Sequence, residues 1–170
     1  MKKIDSNFKE NFQKIYNQFQ MKKYDSVISK SKKIIKQYGE IESINNLIGA
    51  SYQCLNKNKE AIIYFKKTLM IDPQNLSAIN NLGNIYKNTQ EYKLAEMHYL
   101  KLIRLKPSYV NSYANYGNLK KDLNNFNEAI ELYKKALEIN PNLFLVHYNL
   151  ALAYQSLGKF EKAIKHCNEV

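Results

Sequence analysis

Apolar residues recur three and four positions apart in paired stretches along the chain, and each pair is joined by a short polar segment. Those segments are LNKNKEA at 55–61, TQEYKLA at 89–95, LNNFNEA at 123–129 and LGKFEKA at 157–163. Spacing of this kind places the apolar side chains on one face of a helix, so each pair predicts a helical hairpin. Pro73, Pro107 and Pro141 follow the second stretch of three successive pairs. A proline biases the residue before it away from helical geometry and donates no backbone hydrogen bond, so Asp72, Lys106 and Asn140 are the predicted ends of those helices.

The hairpins keep a fixed period. The three prolines are 34 residues apart, as are Ala61, Ala95, Ala129 and Ala163, and so are Gly49, Gly83 and Gly117, with Ala151 next in that series. Periods of this length mark repeat architectures, in which each unit buries its apolar face against its neighbours. The glycine and alanine columns read as packing features, because two antiparallel helices approach closely only where the crossing side chains are small.

These columns resemble the tetratricopeptide-repeat pattern, in which L-G-x-x-Y is followed by a small alanine, an aromatic residue and a closing proline. Ile48-Gly49 with Tyr52, Leu82-Gly83 with Tyr86, and Tyr116-Gly117 carry its first half. Ala61 with Phe65, Ala95 with Tyr99, and Ala129 with Tyr133 carry its second. Departures are the absence of tryptophan, Lys120 in the tyrosine column and Ala151 in the glycine column. The resemblance implies an all-α fold, a right-handed superhelical solenoid of antiparallel hairpins comprising about 4.5 to 5 repeats, with nine or ten helices and no strand. In this register residues 1–170 form a single repeat domain. Residues 42–75, 76–109 and 110–143 are full repeats, and 144–170 is a truncated one whose last apolar face has no following unit. Residues 8–41 form a degenerate capping repeat, with Ile15 in the glycine column, Val27 in the alanine column and Gly39 in the proline column. Such an array ordinarily ends in a covering helix, so a natural protein continuing past Val170 is expected.

Composition supports helices: 45% of residues are apolar, whereas five glycines and three prolines are too few for the turns of a β-sandwich of this length. No apolar run reaches signal-peptide or membrane-spanning length, and Cys54 and Cys167 are too few for a disulfide framework, so a cytoplasmic setting is expected. Cys54 reads as a small buried hydrophobe. The net charge of +11 suggests an anionic partner, but residues 1–41 alone contribute ten lysines against four acids. Elsewhere the signs are mixed, and Arg104 is the only arginine, which argues against nucleic acid. The tyrosines fall in core columns and need no stacking role.

No site for chemistry emerges. His98, His147 and His166 share no metal-ligand spacing, no phosphate-binding loop or nucleophile elbow is present, and no cofactor, metal or catalytic residue is assigned. One polar series remains. Asn81, Asn115 and Asn149 stand 34 apart on the first helix of each hairpin, the helix that lines the concave groove in this family. Asn84 and Asn118 lie one turn onward, and Lys87 and Lys121 extend the stripe. Asparagine is a mediocre helix former, and its side chain offers both a donor and an acceptor, which matches a peptide backbone. The row resembles the asparagine ladder of the protein O-GlcNAc transferases, although Leu47 breaks it one unit earlier. Structural hydrogen bonding and a generally Asn-rich composition are the alternative reading. A two-carboxylate chaperone clamp is disfavoured, because Ser77, Asn80, Asn111 and Asn115 occupy the places where it needs cations.

The expected function is a protein-interaction module that holds an extended peptide, with acidic side chains of the ligand favoured by Lys87 and Lys121. Two alternatives stand beside it. One is the substrate-recognition arm of a larger glycosyltransferase or sulfotransferase. The other is a scaffold that self-associates through its uncapped C-terminal repeat.

Overall fold

A computed structural model describes residues 6–167, and among them all regular structure is helical. Ten helices follow in order: α1 (Ser6–Gln20), α2 (Tyr24–Tyr38), α3 (Glu42–Cys54), α4 (Asn58–Ile71), α5 (Leu76–Asn88), α6 (Tyr92–Leu105), α7 (Val110–Asp122), α8 (Phe126–Ile139), α9 (Phe144–Ser156) and α10 (Phe160–Cys167). The last three residues of the expected fifth hairpin, 168–170, lie outside the described residues. Two compact units make up the chain, Met1–Ile85 and Tyr86–Val170, and the boundary falls inside α5.

Helix ends follow the repeat. Asp72, Lys106 and Asn140, the residues before the prolines, are the C-caps of α4, α6 and α8. In the first hairpin Gly39 takes that place with φ of 90°, a backbone conformation open to glycine and strained for other residues. The first helix of every hairpin closes by one device. Lys22, Asn56, Gln90, Asn124 and Gly158, again 34 apart, all have φ between 58° and 69°. The next amide then reaches back to the carbonyl five residues earlier: Lys57 N–H donates to Tyr52 O at 2.9 Å, Asn125 to Lys120 O at 2.8 Å and Lys159 to Tyr154 O at 2.9 Å. This is the Schellman closure, which satisfies orphan carbonyls and turns the chain into the second helix.

The glycine column is explained by its neighbours. A Cβ built on Gly49 would lie 2.8 Å from the Phe65 ring, and one built on Gly117 would lie 2.6 Å from the Tyr133 ring. Both rings are fully buried and have nowhere to retreat. Burial also lifts the Tyr133 phenol above its ordinary pKa, with the charge of Asp122 adding to the effect. The first hairpin reverses large and small: Ile15 occupies the glycine column and Ser31 the aromatic column, and both are buried. In the last hairpin the two columns hold Ala151 and Cys167. In the first four hairpins a large residue thus faces a small one, as dense packing requires, whereas Cys167 of the last pair is exposed.

Lys120, the departure in the tyrosine column, has its own environment. Its ammonium lies 3.0 Å from Glu96 and 2.8 Å from Glu128, sits 5.1 Å from the centre of the Tyr116 ring, and is mostly enclosed. Tyr116 donates its hydroxyl to the same Glu96. Burial alone would depress the ammonium pKa, but the bonds to Glu128, Glu96 and Tyr116 outweigh it and raise the value. The Tyr116 hydroxyl first, and Lys120 second, hold the Glu96 carboxyl below the ordinary glutamate value. Because folding favours ionised Glu96, its contribution is complete above the unfolded value of about 4.3 and is lost as pH falls through the lower folded value. The Lys120 contribution is complete below about 10.4 and is lost only as pH rises through its higher folded value. Glu96→Gln should therefore flatten the acid limb of a stability-versus-pH curve below about pH 4, as read by thermal melting. An unchanged acid limb would show that this network is not coupled to folding.

Candidate functional site

In the second unit, α7 and α9 frame a depression of about 490 Å³. From α7 it is lined by Asn111, Ala114, Asn115 and Asn118. From α9 and the residues just before it come Asn142, Leu143, Phe144, Leu145, Val146, Tyr148 and Asn149. Helical periodicity explains the grouping, since residues three, four and seven apart share a face.

Two of the asparagines are oriented by neighbouring side chains. Tyr133, reaching across from α8, donates its hydroxyl to Asn118 Oδ1 at 2.7 Å. Lys121 Nζ donates to Asn149 Oδ1 at 3.0 Å. Each bond occupies the amide oxygen, and the NH₂ groups of Asn118 and Asn149 have no bonded partner among the described residues. Those groups are donors suited to carbonyl oxygens. Asn115 lines the same depression, and all three are half-buried, so a ligand there is partly shielded from water.

The other side of the depression is apolar and exposed: Phe144, Leu145 and Tyr148 are 55%, 70% and 50% exposed. The sequence reading missed this side. Its signal is that FLVHYNLALAYQS is apolar around the whole circumference of α9, and a helix of that kind has more apolar surface than one core contact can cover.

Asn81 and Asn84 fall in the first unit, on α5, and are half-buried. Leu47, which breaks the row, is buried in the core of the first unit with Ile44 and Ile48. Lys87 and Lys121 belong to the second unit, and both are engaged within the chain. Lys87 Nζ lies 3.3 Å from Asp122 Oδ2, while Lys121 is bonded to Asn149. A carboxylate beside Lys87 offsets the charge that was expected to attract acidic ligands.

Other candidates resolve into structure. His147 Nε2 bonds the Pro141 carbonyl at 2.8 Å, and because a carbonyl only accepts, that nitrogen carries the proton. His147 Nδ1 meets His166 Nδ1 at 3.2 Å, and His166 stacks on Tyr154, so the pair ties α10 to α9. No group of three or more metal-ligating side chains occurs among the described residues. Cys54, expected to be buried, is exposed, since it ends α3 at a turn, and Cys167 is exposed as well. No described helix is long and apolar enough to cross a membrane.

The tetratricopeptide repeat pattern matches residues 42–75 and 76–109, and a TPR repeat pattern matches residues 117–158. The chain belongs to the tetratricopeptide-repeat family. It is thereby a protein-interaction scaffold, and its ten described helices have the fold of a tetratricopeptide-repeat solenoid. In fold it is similar to solved structures of MamA. One, a crystal structure of MamA, is 22% identical with a TM-score of 0.79, over 98% of this chain and 93% of that one. Another, MamA 41-end from Desulfovibrio magneticus RS-1, is 16% identical with a TM-score of 0.84, over 98% and 94%. No curated protein matches the chain in sequence.

Proposed function

We propose that the tetratricopeptide-repeat chain binds an extended peptide on the α7–α9 face, acting by capture and not by catalysis. The observation that carries this reading is the pairing, in one depression, of oriented asparagine amides with exposed Phe144, Leu145 and Tyr148. An extended peptide presents carbonyls at a regular step together with side chains on alternating sides, so one side can meet NH₂ donors while the other meets apolar surface. The ligand chemistry is therefore mainly apolar and neutral, because Lys87 is paired with Asp122 and Lys121 spends a donor on Asn149. Asn81 and Asn84 are proposed to serve in the same way on α5. Exposed, unbridged Cys54 and Cys167 suit a reducing, cytoplasmic setting. The test is to select peptides from a display library on the whole chain, then compare their affinity for the native chain and for Asn115→Ala/Asn149→Ala. Equal affinities would remove the asparagines from the binding site.

A second reading, self-association, rests on α10, where Phe160 and Ile164 are 62% and 60% exposed. Light scattering at two concentrations decides it, since a monomer at the higher concentration excludes it.

A further inference from the structure

The first hairpin holds a separate groove between α1 and α2, of about 270 Å³. Its floor is Ile15 and Ile34, both buried, and its walls carry Lys14, Lys30 and Lys33, with Asn11 and Gln37 alongside. Lys30, Lys33 and Gln37 share one face of α2 at helical spacing.

In later repeats the equivalent columns are core. Lys14 stands where Ile48, Leu82 and Leu150 are buried, and Asn11 where Ile79 and Tyr113 are buried. A terminal face made polar only for solubility would mix its charges, as several ion pairs elsewhere in the chain do. There Lys87 pairs with Asp122, Lys120 with Glu96 and Glu128, and Lys134 with Glu131. The groove lining carries three lysines and no acid. Lys14 meets Glu10 at 2.6 Å, but Lys30 and Lys33 have no carboxylate partner among the described residues. Like charges one helical turn apart repel, and a carboxylate placed between them would relieve that repulsion.

We infer that this groove binds an acidic protein segment, whose glutamate or aspartate carboxylates pair with Lys30 and Lys33 while Asn11 and Gln37 meet its backbone. The lining has no aromatic ring on which a base could stack and no arginine to grip a phosphate bidentately. No exposed apolar side chain stands in the lining to enter a membrane, since Ile15 and Ile34 form the buried floor. These positions lie outside the asparagine row, so the groove is independent of the peptide face on α7 and α9 and survives if that assignment fails.

The experiment is fluorescence anisotropy on the whole chain with three labelled probes: a glutamate-rich peptide, its glutamine counterpart, and a single-stranded oligonucleotide of the same charge as the glutamate peptide. Lys30→Gln/Lys33→Gln alters only exposed side chains, and Lys101→Gln/Lys135→Gln removes the same charge from α6 and α8. The glutamate peptide should bind better than the glutamine peptide. Its affinity should fall about three- to tenfold in Lys30→Gln/Lys33→Gln and less than about twofold in the control, with the difference shrinking as salt is added. Equal losses in the two variants would show that only net charge matters and would overturn the site. Tighter binding of the oligonucleotide would overturn the ligand class, and failure of the native chain to prefer the glutamate peptide would overturn both.

Discussion

Tyr133→Ala is expected to lower the free energy of unfolding by about 3–5 kcal/mol, measured by urea denaturation. The ring is fully buried against Gly117, and its hydroxyl bonds Asn118 Oδ1 at 2.7 Å. Truncation removes a large apolar contact, leaves a cavity and strips the Asn118 carbonyl of its donor. Gly117→Ala approaches the same contact from the other side. Alanine favours a helix over glycine by about 1 kcal/mol, yet a Cβ at 2.6 Å from a confined ring overpacks the crossing, so a net loss of about 1–3 kcal/mol is expected. The pair Gly117→Ala/Tyr133→Cys reproduces Ala151 and Cys167 of the last hairpin. Its loss should fall short of the summed single losses by at least about 0.5 kcal/mol, because the extra methyl enters space that the ring has vacated. Strict additivity would show that the glycine column is not set by the opposing aromatic.

Asn115→Ala/Asn149→Ala should weaken a selected peptide by roughly fivefold to 150-fold. The range follows from two neutral hydrogen bonds at about 0.5–1.5 kcal/mol each. A purely structural role would instead show as a lower melting temperature, since Asn149 accepts a bond from the Lys121 ammonium. That split between affinity and melting temperature separates ligand contact from structural hydrogen bonding. A variant that melts lower but binds unchanged would assign the asparagines to the fold.

Much of the architecture is legible in the sequence because its signals are local and repeated. Three prolines mark the ends of α4, α6 and α8, and the glycine column marks where Phe65 and Tyr133 must fit. The left-handed turn positions are far less visible, since Lys22, Asn56, Gln90 and Asn124 do the work that a glycine does only at 158. A Schellman closure holds them through backbone bonds that depend little on side-chain type. The asparagine column was readable, whereas its chemistry was not. Lys87 meets Asp122 and Lys121 meets Asn149 across 35 and 28 residues, and only the packed helices bring them together. Phe144, Leu145 and Tyr148 escaped notice because an all-round apolar helix shows no periodic face from which exposure can be read.

The most direct measurement is to follow the side-chain amide signals of Asn115, Asn118 and Asn149 by ¹⁵N-resolved NMR while a display-selected peptide is titrated into the whole chain. The account predicts that these NH₂ signals shift and saturate together with the Tyr148 ring signals. Saturable binding that leaves all of them unmoved, with shifts confined to other helices, would contradict it.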